Sequence, residues 1–161
     1  LVQVAGRAGR AERRGDVLLQ THHPGHPLLH LLVNGGYHAF VEAELAQREA
    51  AGFPPFAHLA LLRAEAKDIA ATRAFLDAAR AMFASAQPPA TRDAPPPVEL
   101  AGPLPAPMPR RAGYQRMQLL LTAPARRDLH ALLDATAAHL HALPEARRVR
   151  WSLDIDPADL Y

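Results

Sequence analysis

Two arginines near the start of the chain are spaced for chemistry on phosphate groups. Residues 3–10 read Gln-Val-Ala-Gly-Arg-Ala-Gly-Arg, the pattern Q-x-x-G-R-x-G-R. Glycine lets the backbone approach another surface closely, and Arg7 and Arg10, three residues apart, would share one helical turn. Both guanidinium groups could then reach one phosphate and stabilise charge that develops during phosphoryl transfer. The alternative is an exposed basic helix start that glycines interrupt.

A second group of basic side chains is interleaved with aromatic residues. Arg110, Arg111 and Arg116 bracket Tyr114 in a stretch expected to form a hairpin. Further along, Arg147, Arg148 and Arg150 precede Trp151. Basic residues beside aromatic ones favour a surface that follows phosphates and stacks bases. The alternative is a solvated hairpin with a tryptophan in the core, and for Trp151 we favour the core.

Arg126 and Arg127 are expected to open a helix, where the helix dipole favours anions over cations. This mild local cost indicates an external anion, such as an acidic peptide tail. A metal site is not expected, because the chain has no cysteine and the histidines at 22, 23 and 26 lack a nearby carboxylate at ligand spacing. We predict instead a turn in which these imidazoles bond to the backbone.

The positions of glycine, proline and apolar residues predict the elements that hold these side chains. A strand is expected at 16–21, followed by helices from 28 to the Gly35-Gly36 pair and over 37–51. The Gly-Phe-Pro-Pro segment at 52–55 marks a boundary. Beyond it the predicted order is β-α-β-β-α-β, an α+β ferredoxin-like unit. Its elements are strand 58–64, helix 69–85 capped by Asp68, strands 98–101 and 117–122, helix 125–142 and strand 149–155.

Composition is typical of a soluble cytoplasmic protein. The 161 residues are 49% hydrophobic and carry a formal net charge of +2, and Lys67 is the only lysine. A membrane span or a signal peptide is not expected. The chain contains neither a P-loop nor a D-E-x-H box, nor a convergent acid–base pair. We therefore expect this chain to be inactive as an enzyme by itself.

The motifs together resemble one protein family. The pattern at 3–10 resembles motif VI of superfamily 2 helicases. The segments at 15–29, 100–107 and 151–157 resemble the primosomal protein N′ family of replication-restart helicases. The resemblance covers essentially the whole chain and implies a C-terminal fragment. Its divisions would be the end of helicase lobe 2 (1–35), a connecting helix with a Pro-Pro boundary (36–55) and a DNA- and partner-binding domain (56–161).

The resemblance implies a fold and an activity for the complete protein. The fold would be a ribosomal S10-like, ferredoxin-like C-terminal domain preceded by the last strand and helices of a RecA-like lobe. The complete protein would be an ATP-dependent 3′–5′ DNA helicase that recognises stalled forks and initiates primosome assembly. It would use ATP and Mg²⁺, and would hold zinc through cysteines upstream of this fragment, which itself would bind none.

The resemblance also implies roles for particular residues. Gln3, Arg7 and Arg10 would act in catalysis and, with Gly6, would bind ATP. The residues implied in DNA binding are Arg110, Arg111, Tyr114 and Arg116. Arg126 and His130 would dock the acidic tail of single-stranded DNA-binding protein. The family has Gln at the position of His130.

The implied partners are branched or single-stranded DNA, that tail and other primosome proteins, but no membrane. The implied location is the cytoplasm, at replication forks on the nucleoid. An alternative is a protein-docking module with little DNA affinity of its own.

Overall fold

The computed structural model describes residues 17–91 and 94–157, and the backbone of residues 9–10 and 13–14. The chain forms two compact units, Leu1–Ala51 and Gly52–Tyr161. The finer division at 35 and 55 stays a prediction.

The first unit contains a small strand pair and a long interrupted helix. Strand β1 (Gly9–Arg10) pairs antiparallel with β2 (Arg13–Arg14). Helix α1 (Pro27–Ala50) is broken at Gly36, whose φ of 75° and ψ of −174° are not helical. This break confirms the predicted interruption, since glycine adopts a positive φ at little steric cost. His26 caps the helix, because its Nδ1 accepts a hydrogen bond of 3.3 Å from the Leu28 N–H.

Two predictions for this unit are wrong. Residues 17–21 form no strand, and Leu18 is 97% exposed. An apolar run becomes a strand only when another strand satisfies its backbone groups, and none of the described strands pairs with this segment. Arg10 lies in an extended pair rather than on a helical turn. The backbone at Arg10 is therefore extended, and not helical as expected for the two motif arginines.

The second unit has the predicted order of elements and the α+β class. The unit begins with strand β3 (His58–Ala66) and helix α2 (Ile69–Ser85). The paired strands β4 (Glu99–Arg111) and β5 (Tyr114–Ala123) follow, and then helix α3 (Arg126–Thr136). Two 3₁₀ helices follow, Ala137–Ala142 and Pro144–Arg148, before β6 (Arg150–Ile155). The sheet order is β4-β5-β3-β6 and every pairing is antiparallel, as in a ferredoxin-like fold.

Side-chain alternation along the strands gives the sheet one apolar and one more polar face. On β3, Ala60, Leu62 and Ala64 are buried in the main core with Phe75 and Phe83 of α2. Arg63 and Glu65 alternate with these residues and so lie on the opposite face. We call this face, opposite α2 and α3, the open face; it also buries Leu59 and Leu61, so its charged side chains lie toward the Ala66 end of β3.

The predicted strand and helix ends differ from the observed ones in two places. The strand expected at 98–101 continues as far as Arg111, and the strand expected at 117–122 begins earlier, at Tyr114. β4 continues through the prolines at 103, 105, 107 and 109 because it is an edge strand, where proline is tolerated since its missing N–H can face outward. The last helix changes at Ala137 from α to 3₁₀ geometry, so the α-helix ends before the predicted residue 142.

The N-cap of α2 provides a test of the local folding signal. The Asp68 carboxylate accepts a 2.9 Å hydrogen bond from the Ala70 N–H. Asp68→Ala should lower the free energy of unfolding by about 0.5–2 kcal/mol, because a backbone donor at the helix start loses its partner. Urea unfolding followed by Trp151 fluorescence measures this change. Asp77→Ala, at an exposed position of the same helix, is the control and should cause no loss; equal losses would contradict the capping role.

Candidate nucleic-acid interface

The β4–β5 hairpin presents two of the predicted DNA-binding residues to solvent. Its turn is Ala112-Gly113, and both residues have positive φ, 48° and 80°. This is the conformation of tight two-residue hairpin turns, which match the twist of the strands. The turn places Arg111 opposite Tyr114. Arg110 and Arg111 are exposed, and the Arg110 Nε donates a 3.2 Å hydrogen bond to Gln115 Oε1.

Glu65 lies between two arginines that come from distant parts of the chain. Strand pairing sets Glu65 opposite Arg116 on one side and Arg150 on the other. The Arg116 Nε is 3.6 Å from Glu65 Oε2, and an Arg150 terminal nitrogen is 3.9 Å from Glu65 Oε1. One carboxylate thus holds two guanidinium groups on the open face of the sheet. Solvent screens such partly exposed pairs, so their contribution to stability is small.

Tyr114 contacts an arginine that the sequence pattern did not connect with it. The Arg150 guanidinium carbon lies 4.6 Å from the centre of the Tyr114 ring, a cation–π arrangement. This contact joins the first residue of β6 to the hairpin. One face of the ring is therefore covered by a cation, which assigns Tyr114 a role in positioning Arg150 as well as its predicted role in stacking.

Antiparallel pairing collects basic side chains at one end of the sheet. Residues 65–68, 110–116 and 145–150 contribute seven basic and three acidic side chains, a balance of +4. The whole chain carries only +2. We call this region the basic end; its cations are Lys67, Arg110, Arg111, Arg116, Arg147, Arg148 and Arg150. A concentration of one charge sign at one edge favours association with a polyanion.

Sequence reasoning missed Arg63 as a neighbour of this region. Arg63, Arg116 and Arg150 line a depression of about 260 Å³ on the open face, with Glu65 and Ser152. Arg63 donates a 2.8 Å hydrogen bond to Asp154 Oδ2. The signal that could have found it is the two-residue period of β3, which places Arg63 and Glu65 on one face.

Trp151 lies on the other face of the sheet, as the core interpretation predicted. Its ring stacks on Phe75 with centroids 5.7 Å apart, and His141 approaches within 4.6 Å. Trp151 is half-buried and packs against the main core. It is therefore not placed among the side chains of the basic end.

The predicted docking residues are brought together, at the opposite end of the sheet. The Arg126 Nε lies 3.3 Å from His130 Nε2, in hydrogen-bonding contact. An Arg126 terminal nitrogen lies 3.6 Å from Asp156 Oδ2, so a carboxylate of the chain itself offsets part of the cost expected for a cation at a helix start. Strand β5 separates this site from the hairpin and has ten residues. The two candidate sites are thus roughly 30 Å apart along β5.

The structure does not describe the side chains of the remaining predicted site residues. Gln3, Gly6 and Arg7 lie outside the described residues, and for Arg10 only the backbone is described. Within the described part of the chain, no cluster of three histidine or acidic side chains is arranged to hold a metal ion. In the same residues, no helix is both long and apolar enough to cross a membrane.

Comparison with known proteins identifies related sequences. The family model described as the primosomal protein N C-terminal domain matches residues 49–158. A replication restart protein PriA from Haemophilus influenzae is 41% identical over 160 residues, which are 99% of this chain and 20% of that protein. The protein of the same name from Bacillus subtilis is 31% identical over 98% of this chain and 19% of its own length. The chain spans about a fifth of the length of these relatives.

The contact between Tyr114 and Arg150 can be measured by a double-mutant cycle. Tyr114→Leu and Arg150→Ala should show a coupling free energy of about 0.5–1 kcal/mol in unfolding, because each single change removes the same cation–π contact. Urea unfolding gives the four free energies. Tyr114→Leu with Arg126→Ala is the control cycle and should show no coupling, since these residues occupy opposite ends of the sheet. Equal coupling in both cycles would refute a direct contact.

Proposed function

This chain belongs to the primosomal protein N C-terminal domain family, and on that premise we propose that it is the DNA-binding part of a replication-restart protein. The hairpin carries the proposal. Arg110 and Arg111 are exposed at the end of β4, just before the two-residue turn, and Tyr114 and Arg116 follow the turn on β5. Guanidinium groups bind phosphate oxygens through paired, charge-assisted hydrogen bonds. The ligand would be the backbone of branched or single-stranded DNA.

The charge distribution supports a polyanionic ligand. The basic end carries +4 although the chain as a whole carries +2, so the remainder is slightly negative. Binding to such a surface releases counterions from DNA and weakens steeply as salt rises. The shape of the site, an exposed hairpin rather than an enclosed pocket, suits an extended strand better than a small molecule.

Removal of the two exposed hairpin arginines tests the proposal. Arg110→Ala/Arg111→Ala should weaken binding of a labelled fork DNA by about tenfold or more and should lower the slope of log affinity against log salt by about 2. Fluorescence anisotropy in a salt series measures both. Arg126→Ala/Arg127→Ala removes the same charge from the other end of the sheet and should leave the slope nearly unchanged. Identical behaviour of the two variants would overturn the assignment to the hairpin.

We propose further that the complete protein is an ATP-dependent 3′–5′ helicase that acts at stalled forks and initiates primosome assembly in the cytoplasm. Gln3, Gly6, Arg7 and Arg10 would contact the ATP phosphates there. The support is the Q-x-x-G-R-x-G-R sequence and its continuation. Bound ATP with Mg²⁺ would supply the energy for unwinding. Because the 161 residues contain no P-loop, this chain alone would not hydrolyse ATP, and zinc would bind outside it.

A second candidate function is docking of an acidic peptide tail at Arg126. The α3 N-terminus has no side-chain cap, and Arg126 and His130 form a contiguous polar surface beside it. A cation at this place can bind a carboxylate that the free backbone N–H groups also attract. The partner would be the tail of single-stranded DNA-binding protein.

The docking candidate has a separate test. A peptide that ends in Asp and Phe should bind the chain, and Arg126→Ala should abolish that binding because the peptide loses its charged partner. Arg110→Ala, at the opposite end, should leave it unchanged. Isothermal titration calorimetry measures both affinities. Equal affinity of wild type and Arg126→Ala would exclude this site.

A further inference from the structure

The basic surface continues beyond the hairpin. Lys67, Arg147, Arg148 and Arg150 line one open depression of about 420 Å³, and Tyr114 of the hairpin borders it. Lys67 directly follows β3, Arg147 and Arg148 belong to the second 3₁₀ helix, and Arg150 begins β6. Three separate parts of the chain therefore contribute cations to a single surface next to the hairpin.

We propose that these four cations form a second phosphate-binding segment, continuous with the hairpin, so that a nucleic-acid strand crosses the end of the sheet perpendicular to the β-strands. The path would begin at the hairpin, pass Arg150 and end at Arg147 and Arg148. The proposal rests on the proposed function and adds to it the course that the strand takes. It also assigns DNA contacts to residues outside the hairpin.

The length of this path fits several phosphates. At the basic end the sheet order places the hairpin strands first, then the end of β3, then the start of β6. With strands about 4.8 Å apart, the distance from β4 to β6 is roughly 14 Å. At the axial rise of a stacked duplex strand, about 3.4 Å per nucleotide, this width corresponds to at most about four nucleotides, and an extended single strand crosses it with fewer. The 3₁₀ helix extends the path further.

The cations of this segment are available to an incoming anion. Within residues 17–91 and 94–157, neither Lys67 nor Arg147 nor Arg148 forms an ion pair, and the two arginines are exposed. Glu65 and Asp68 also line the depression, but two carboxylates against four cations leave it net positive, and a polyanion relieves the repulsion among the cations. Their grouping around one depression therefore favours a ligand with repeated negative charges.

Arg150 joins the two segments. Its guanidinium lies over the Tyr114 ring and 3.9 Å from Glu65, while its side chain remains 70% exposed. At that distance the ion pair is not a hydrogen bond, so the N–H groups can still donate to a phosphate. Tyr114 and Glu65 act as positioning residues that hold this cation between the hairpin and the 3₁₀ helix.

The test compares two double variants of the 161-residue chain that remove equal charge. Arg147→Ala/Arg148→Ala should weaken binding of a labelled single-stranded oligonucleotide by about tenfold or more and should lower the salt slope by about 1.4, since each phosphate contact to a single strand contributes about 0.7. Arg73→Ala/Arg80→Ala removes two exposed arginines of α2, which lie outside the basic end, and should change both little. Arg147→Lys/Arg148→Lys should retain most of the slope, since it keeps the charge. Unfolding followed by Trp151 fluorescence verifies that the variants are folded.

The outcomes separate this inference from the proposed function. If Arg147→Ala/Arg148→Ala matches the control while Arg110→Ala/Arg111→Ala still loses affinity, the strand does not take this path but the hairpin still binds DNA. If the wild-type chain binds no oligonucleotide, both fail. If the 147–148 variant loses affinity for an acidic peptide and not for the oligonucleotide, the surface is a protein-docking site and the inference is wrong.

Discussion

The antiparallel pairing of β3 with both β5 and β6 is the constraint on which the basic end depends. Residues 65, 116 and 150 are far apart in the chain, and only this pairing places them in one row across the sheet. Because antiparallel neighbours alternate in direction, the turn of the hairpin, the end of β3 and the start of β6 must lie at the same end. Loss of this register would disperse the cations, whatever their number.

The same arrangement separates two kinds of candidate site. The hairpin lies at one end of β5 and the N-terminus of α3 at the other, so arginines at the two ends exert nearly independent fields at physiological salt. The two proposed ligands, a DNA strand and an acidic peptide, would therefore not compete for one surface. Trp151 contributes to the core on the helical face and stays apart from both.

Capping residues predicted helices correctly where the spacing of the apolar residues indicated the same element. Helix α2 runs over Ile69–Ser85 as predicted, because Asp68 caps it and its apolar face repeats every three to four residues. The family resemblance was confirmed by the match over 49–158. The strand predicted at 16–21 was wrong over residues 17–21, which form no strand. Whether a segment becomes a strand depends on a neighbour that local pattern does not reveal.

By itself the sequence determined the family, the α+β class, the order β-α-β-β-α-β and the identity of the hairpin arginines. The family follows from the resemblance of its motifs, whereas composition, glycine and proline positions and apolar periodicity are local properties that suffice for the class and the order of elements. Only the tertiary structure decided that Arg150 stacks on Tyr114, that Glu65 holds two arginines and that Arg126 lies at the opposite end. Such contacts depend on strand order and register, which bring together residues that have no local relation in the chain.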